Sequence, residues 1–477
     1  MNSKYDLLAK EWIEKNKEKI LNDWIEICKI PSIKGEPAED APFGKASARC
    51  LRVCTDLFKR RGYDTKIYEK SGYSLVTLGA GKKTIGIFTH SDVVPAGDGW
   101  IHTRPFEPVV KDGVLIGRGV SDNKSGIMAS LCAMEIIKDR SIPIKSRLQL
   151  FIGSDEETGM EDISAFAEKQ PMPEISLVPD AEFPCCVGEK GICHLYADSG
   201  DRISDIVDFC GGEAFNIVLD KAVATIKYSK ELEVELKEAT NGCPEFEIDV
   251  KNDAMTVLAK GVAAHASEPE GSVNAAYLLA KLLSKTNAIS GSDKKIMKEA
   301  AEILSCPYGT SLGIDSCDDL FGRLTFVNGI AKVMDGRLRL SFDMRYGGTL
   351  DFEDLINRTR SAFCKFGWEI SVETNSAGFA IDGKSALPAM FEDIYKEITG
   401  TEKKAFTMGG GTYARHIKNA ISVGTEAKQS IRRTPGLEMP AGHGGCHQCD
   451  EMIDIEGFFA AVRIIVQYLI AMDEDIN

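Results

Sequence analysis

TIGIFTHSD, residues 84–92, sets a short apolar run directly before a histidine and an aspartate two residues apart. A run of that length, bounded by polar residues, predicts a buried strand. The pattern returns twice. RLQLFIGSDEETG (147–159) and ISLVPDAE (175–182) each place acidic residues just past an apolar run. Between the first two runs, residues 123–138 bring Ile127, Leu131, Met134 and Ile137 round at helical spacing. Strand and helix in alternation predict an α/β domain with a mostly parallel sheet.

Outward from there, residues 4–29 predict a helix on the face Leu7, Leu8, Trp12, Ile20, Leu21, Trp24 and Ile25, and residues 44–61 a second one ending at Gly62. The character changes at residue 186. Period-two strands then surround two helical segments. Arg337–Arg345 alternates Leu338, Leu340, Phe342 and Met344 with other residues, and Val273–Lys285 is the clearest helix. After residue 385 the α/β character returns, with Leu387–Ile398 helical, Ala420–Val423 strand-like and Ile455–Met472 a long terminal helix. The expectation is one α/β domain, residues 1–185 plus 385–477, interrupted by an α+β domain, residues 186–384, long enough for two subdomains.

The totals exclude some functions. Lys and Arg number 57 against 72 Asp and Glu, a formal charge of −15. That balance argues against a nucleic-acid partner, which needs clustered Lys and Arg. The 14 cysteines in 477 residues are scattered, so free thiols in a reducing cytoplasm are expected. Cys446 and Cys449 form a lone CxxC around His447, with no second pair to complete a zinc ribbon. The opening MNSKYDLLAKEWIEKNKEKI is charged throughout and holds no signal-peptide h-region; no apolar run reaches the length of a membrane span. A cytoplasmic protein without a membrane partner is the expectation.

Four clusters stand near the ends of predicted elements: His90 with Asp92; Asp122 with Asn123; Asp155, Glu156 and Glu157; and Asp180 with Glu182. Open α/β sheets bind ligands beyond the carboxyl ends of their strands, so these groups are expected in one cleft. Each has a plainer reading. His90 fits a core histidine, Asp122 an N-cap of the following helix, and residues 155–157 a solvated acidic loop. Three adjacent acids, however, are costly without cations to offset them. Asp92 can accept the second ring N–H of His90, as a ligating histidine requires. Glu156 and Glu157, being adjacent in a loop, can point apart, one to a metal and the other free as a base. A last ligand must come from the returning segment, where His443 and His447 compete and residue chemistry does not choose. Carboxylate and imidazole donors without thiolate suit catalytic zinc, with manganese or cobalt as substitutes. Two such ions activate a bridging water and polarise a carbonyl.

At this point the strings resemble those of the two-zinc metallopeptidase family of aminoacylase, carnosinase and PepV, and within it the PepV-type dipeptidases. They are HSDVVPAGDGW (90–100), GRGVSDNKSG (117–126), GSDEETGM (153–160), VPDAEFP (178–184), GGEAFN (211–216), AAHASEPEGSVNA (263–275), DMRY (343–346), GGGTYAR (409–415) and HQCDE (447–451). The resemblance implies a zinc-peptidase-like catalytic domain interrupted by an α+β lid, two zinc ions, and hydrolysis of dipeptides or very short peptides. It makes His90, Asp122, Glu157, Asp180 and a C-terminal histidine the metal ligands, with Asp122 bridging. Glu156 becomes the general base and Asp92 the residue that orients His90. HQCDE favours His447 over His443, with Asp450 where the pattern usually has Asn. In the lid, His265 stabilises the oxyanion, while Asn216 and Arg345 hold transition-state oxygens and the substrate carboxylate, arginine being suited by its planar fork. Gly410, Gly411 and Thr412 resemble the backbone loop that faces the C-terminal half of the substrate. Leu219, Ser125-Gly126 and Ala414 depart from the usual pattern without removing a ligand or base. A cis bond between Asp122 and Asn123 is implied, and the long lid implies a functional monomer. The rival within the fold is an N-acyl-amino-acid amidohydrolase; the remote one is a noncatalytic binding protein.

Overall fold

The computed structural model describes residues 3–251, 253–427, 437–440 and 442–477. The chain divides into two compact units, Met1–Val187 with Ile381–Phe406 and Gly411–Asn477, and Gly188–Ala380 with Thr407–Gly410. The small segment Thr407–Gly410 therefore belongs with the inserted unit, which sequence pattern alone did not indicate.

The first unit is built on a sheet whose central strands are β1 (Asp64–Tyr68), β2 (Tyr73–Leu78), β3 (Thr84–His90), β4 (Arg147–Gly153), β5 (Ile175–Ala181) and β6 (Ala420–Gly424). Their spatial order is β1-β2-β4-β3-β5-β6. The pairings β4–β3, β3–β5 and β5–β6 are parallel, while β1 and β2 enter antiparallel. All seven residues of β3 are buried, as expected of a parallel strand covered on both faces. Register aligns the strand ends. His90 pairs with Gly153 and Ile87 with Leu177, so β3, β4 and β5 end at nearly the same level. Their carboxyl-end loops therefore leave the sheet side by side.

Asp139 closes a helix that begins at Lys124, and every residue from Lys124 to Ile137 is buried. The stripe Ile127, Leu131, Met134 and Ile137 was too narrow an expectation. The helix packs against β3 and between the helices Ser3–Cys28 and Ile455–Ile476, which cover the face that periodicity left for solvent. Helix Ile455–Ile476 is long and apolar enough to pass for a membrane span by composition, yet it is a buried core helix here.

Among the described residues the second unit has two larger antiparallel sheets besides the short pair Cys317–Asp318 with Gly322–Arg323. One orders Thr325–Val327, Arg337–Tyr346, Gly191–Asp198 and Glu369–Ser376, with Ala331–Met334 also on Arg337–Tyr346; the other orders Ile206–Cys210, Lys221–Lys227, Ala254–Lys260 and Phe246–Lys251. The main apolar core of the unit, from Leu195 and Phe342 to Ala224, Met255 and Leu279, lies against both. Among the described residues the unit has four α-helices, Lys230–Ala239, Ala275–Lys285, Gly291–Ile303 and Phe352–Cys364, where two were expected. Lys230–Ala239 buries only Leu232 and Leu236, too thin a stripe to stand out in a charged segment. The clearest helix starts two residues later than expected because Asn274 caps it, accepting from Tyr277 N at 3.0 Å.

Candidate metal centre and active site

The aligned strand ends bring the predicted groups of the first unit together. His90, the last residue of β3, sends its Nε2 to within 3.1 Å of Asp122 Oδ1, 3.6 Å of Asp180 Oδ2 and 3.9 Å of Glu156 Oε2. His447 Nε2 lies 3.0 Å from Asp122 Oδ2 and 3.1 Å from Glu157 Oε2. Two donor groups result, His90–Asp122–Asp180 and Asp122–Glu157–His447, each with its ligand atoms within 4.8 Å of one another. Asp122 belongs to both, one oxygen turned to each. The bond between Asp122 and Asn123 is cis.

Of the competing histidines, His447 is the one that reaches the cluster. His443 instead sets Nδ1 2.6 Å from Asp450 Oδ2, and buried Asp450 also accepts from Ile101 N and His102 N. Asp92 differs slightly from its expected part. His90 Nδ1 is nearer the Asp92 backbone carbonyl, at 3.1 Å, than its carboxylate, at 3.4 Å. The carboxylate also accepts from Glu157 N at 3.1 Å, so Asp92 ties the histidine to the glutamate loop.

The charge pattern tests whether metal ions fit. Five carboxylates, those of Asp92, Asp122, Glu156, Glu157 and Asp180, surround two imidazoles, and Asp92 Oδ1, Glu156 Oε1 and Glu157 Oε1 are buried without a hydrogen-bond partner. Burial pushes the Glu156 carboxyl well above its ordinary range, with Asp180 and Glu157 adding to this against the pull of His90. Burial and the Asp122 charge push Glu157 up to about 7. Hydrogen bonds to Asp122 and Glu157 push His447 up to about 11. Without cations the cluster thus holds on to protons; oxygen and nitrogen donors in this excess suit divalent ions. Both donor groups, His90–Asp122–Asp180 and Asp122–Glu157–His447, fit such ions.

Two contributions went unread in the sequence. Asn123 Nδ2 donates to Asp180 Oδ1 at 2.7 Å and to Pro179 O at 2.6 Å, holding one candidate ligand from the loop of another. Asp162, buried, accepts from Ser154 N at 2.6 Å, Asp155 N at 3.0 Å and Tyr413 Oη at 2.6 Å, bracing the loop that carries Glu156 and Glu157. An acid five residues past Glu157, at the start of helix Glu161–Lys169, was the available signal, but it reads as ordinary helix-terminal charge. Gly411 is partly exposed, whereas Thr412 is buried and its hydroxyl caps the turn Tyr413–His416, accepting from Ala414 N and lying 3.2 Å from Ser422 Oγ.

In the second unit Asn216 and His265 lie on adjoining backbone, Ala266 N donating to Asn216 O at 2.8 Å. Ser267 N donates to His265 Nδ1 at 3.2 Å, which makes that nitrogen an acceptor and leaves the ring proton of the neutral side chain on Nε2. Arg345 Nε and Nη2 donate to Asp343 Oδ1 and Oδ2 at 2.6 and 2.8 Å, and Nη1 donates to Gly409 O at 2.8 Å, beside Gly410. The forked edge expected to grip a substrate is thus taken by Asp343.

The sequence matches the family described as Peptidase family M20/M25/M40 over residues 86–471. The chain belongs to this family of peptidases, whose metal dependence agrees with the two donor groups. A Staphylococcus aureus protein (strain bovine RF122 / ET3-1) named "Putative dipeptidase" is 27% identical over 429 residues, covering 87% of this chain and 91% of its own. Among solved structures, the di-peptidase Dug1p of Saccharomyces cerevisiae is similar with a TM-score of 0.59 at 13% identity, over 98% of both chains. Human carnosine dipeptidase 1 also gives a TM-score of 0.59, at 14% identity over 98% of this chain and 99% of that one. Aminoacylhistidine dipeptidase of Vibrio alginolyticus gives 0.53 at 16% identity, over 95% and 96%. At such identities these likenesses are of fold.

Proposed function

We propose that the chain is a two-metal dipeptidase, zinc being the ion that the donor set suits best and manganese or cobalt the substitutes. One observation carries the reading: Asp122 divides its two oxygens between two ligand groups that together gather His90, Glu157, Asp180 and His447. Two divalent ions bring +4 against the five carboxylates of Asp92, Asp122, Glu156, Glu157 and Asp180. When bound they would polarise the scissile carbonyl and make water a better nucleophile.

The remaining work falls to the chain itself. Glu156 Oε1, buried and unpaired, is the atom to take the proton of the attacking water and pass it to the leaving amine. His265 supports the oxyanion, a task for which its Nε2–H tautomer supplies the donor. Arg345 meets the substrate carboxylate through the N–H groups that Asp343 and Gly409 do not use, and Asn216 contributes a further donor. Dipeptides are the substrate class because the resemblance and the named relatives lead there. The chain acts in this reading as a cytoplasmic monomer; an obligate dimer in light scattering, with activity lost on dissociation, would defeat the latter.

The decisive assay sets a dipeptide panel beside N-acetyl amino acids, with zinc or manganese added and with chelator. Metal-dependent dipeptide cleavage is expected. Release of acetate alone would move the chain to the amidohydrolase branch.

A further inference from the structure

The buried ion pair Arg118–Glu451 joins the loops that carry the proposed metal ligands, and neither residue touches a ligand group with its own charge. Glu451 is 0% exposed and follows the loop that ends in Asp450. Its Oε1 accepts from Ser121 N at 2.8 Å and Asp122 N at 3.0 Å; its Oε2 accepts from Gly119 N at 3.0 Å and Arg118 Nη1 at 2.7 Å. Its backbone carbonyl takes Gly117 N at 2.9 Å. One residue of the His447 loop thus receives five donors from the segment that ends in Asp122.

Arg118 extends the link to a third loop. Its Nη2 lies 3.3 Å from His447 O, 3.3 Å from Ala96 O and 3.4 Å from Pro95 O, and its guanidinium stands 5.5 Å over the Trp100 ring. Trp100 in turn donates Nε1 to Ala96 O at 2.8 Å. The pair therefore gathers the chain beyond His90, the chain before Asp122 and the carbonyl of His447 itself.

Stability alone is a poor reason for such a pair, since desolvation of two fully buried charges roughly cancels their attraction. Geometry is a better one. His447 and Asp450 hold left-handed backbone, φ 65° and 52°, which residues with a side chain adopt at a cost and keep only where surroundings impose it. Backbone hydrogen bonds at both ends of the loop, Gly444 N to Cys449 O and Gly117 N to Glu451 O, impose part of it. The carboxylate of Glu451 supplies the rest, because it binds the N–H of Asp122 and closes the circuit through Arg118.

We infer that Arg118 and Glu451 are positioning residues of the two-metal site, holding the bridging aspartate and the C-terminal histidine at fixed separation before any ion binds. This rests on the two-metal reading above. Partners of ligands that lie one step from the metal change affinity by about tenfold to a hundredfold when lost.

The test is divalent-ion affinity by chelator competition on the full chain, with folding followed by circular dichroism and thermal melting. Glu451→Gln keeps the shape but gives up a charge and an acceptor, and is expected to weaken zinc retention about tenfold to a hundredfold. Arg118→Lys keeps the charge yet cannot span three loops, and is expected to weaken it in the same direction. Variants that melt lower but bind zinc as tightly as the parent overturn the proposal, because the pair is then only structural. Should Glu451→Gln lose its helical signal, Arg118→Lys decides by the same criterion. A parent chain that binds fewer than two ions defeats the two-metal reading itself; two ions held equally by parent and variants defeat only the positioning role.

Discussion

Each of the two units has a buried cluster of charges, and the two are balanced differently. In the second unit Asp343 meets Arg345 through two hydrogen bonds and lies 3.3 Å from His194 Nε2, while Phe215 stacks on the His194 ring at 4.6 Å. Burial pushes the Asp343 carboxyl up, but bonds from His194 and Arg345 outweigh it and hold it below its ordinary range. In the first unit, carboxylates outnumber cations, three of their oxygens lack a partner, and Glu156 and Glu157 are driven up. A cluster that neutralises itself can orient a side chain for recognition. One that does not is arranged for something that arrives from outside.

That contrast can be broken most severely at Asp122. Asp122→Ala removes the oxygens shared between the two donor groups; the expected outcome is loss of both ions and activity at background, read by metal analysis beside dipeptide turnover. Retention of two ions would end the bridging role. Glu156→Ala sharpens the comparison, since it takes away an unpaired oxygen that belongs to neither donor group. Turnover should fall about 10²- to 10⁴-fold with metal content unchanged, whereas loss of metal would mean that Glu156 and Glu157 have exchanged parts.

In the second unit effects should be smaller and directed at substrate. Arg345→Met is expected to raise KM for dipeptides about tenfold to a hundredfold, the scale of one lost charge-assisted contact of about 1.5–3 kcal/mol. Dipeptide amides should be little affected. Equal losses on both would remove the carboxylate from its role. The smallest effect is on stability against pH. A carboxyl with lowered folded pKa contributes stability that is present above its unfolded pKa and lost as pH falls through the folded value. Asp343→Asn should therefore flatten the acid limb of the stability profile below the ordinary carboxylate pKa, as followed by thermal melting at stepped pH.

Much of the site was legible because its residues stand just past apolar runs that read as strands. His90, Glu156, Glu157 and Asp180 needed only the rule that parallel strands present their carboxyl ends together. His447 was harder. Its rival His443 sits four residues away in the same glycine-rich loop, and residue chemistry does not separate two imidazoles there; only the resemblance of HQCDE favoured His447. Asp450 separates them by binding the His443 ring, and Asp450 is itself fixed by the backbone of residues 101 and 102. Thr412 uses its hydroxyl to cap the turn Tyr413–His416, a contact that leaves open the expected part of its backbone in a loop facing the substrate. The helix Lys124–Asp139 looked amphipathic and is buried along nearly its whole length, since helices from both chain ends pack over its outer face.

By itself the sequence determined the alternation of strand and helix, the acids and histidines at the strand ends, and an oxygen- and nitrogen-rich donor set. These depend on neighbours within a few residues, where periodicity and side-chain chemistry act directly. Tertiary structure alone decided which oxygen of Asp122 faces which histidine, which edge of Arg345 is already taken, and how Arg118 and Glu451 bind three loops through a single ion pair. Those outcomes hang on backbone N–H and carbonyl groups far apart in the chain, which carry no side-chain signature and acquire partners only when strand register and packing set the loops against one another.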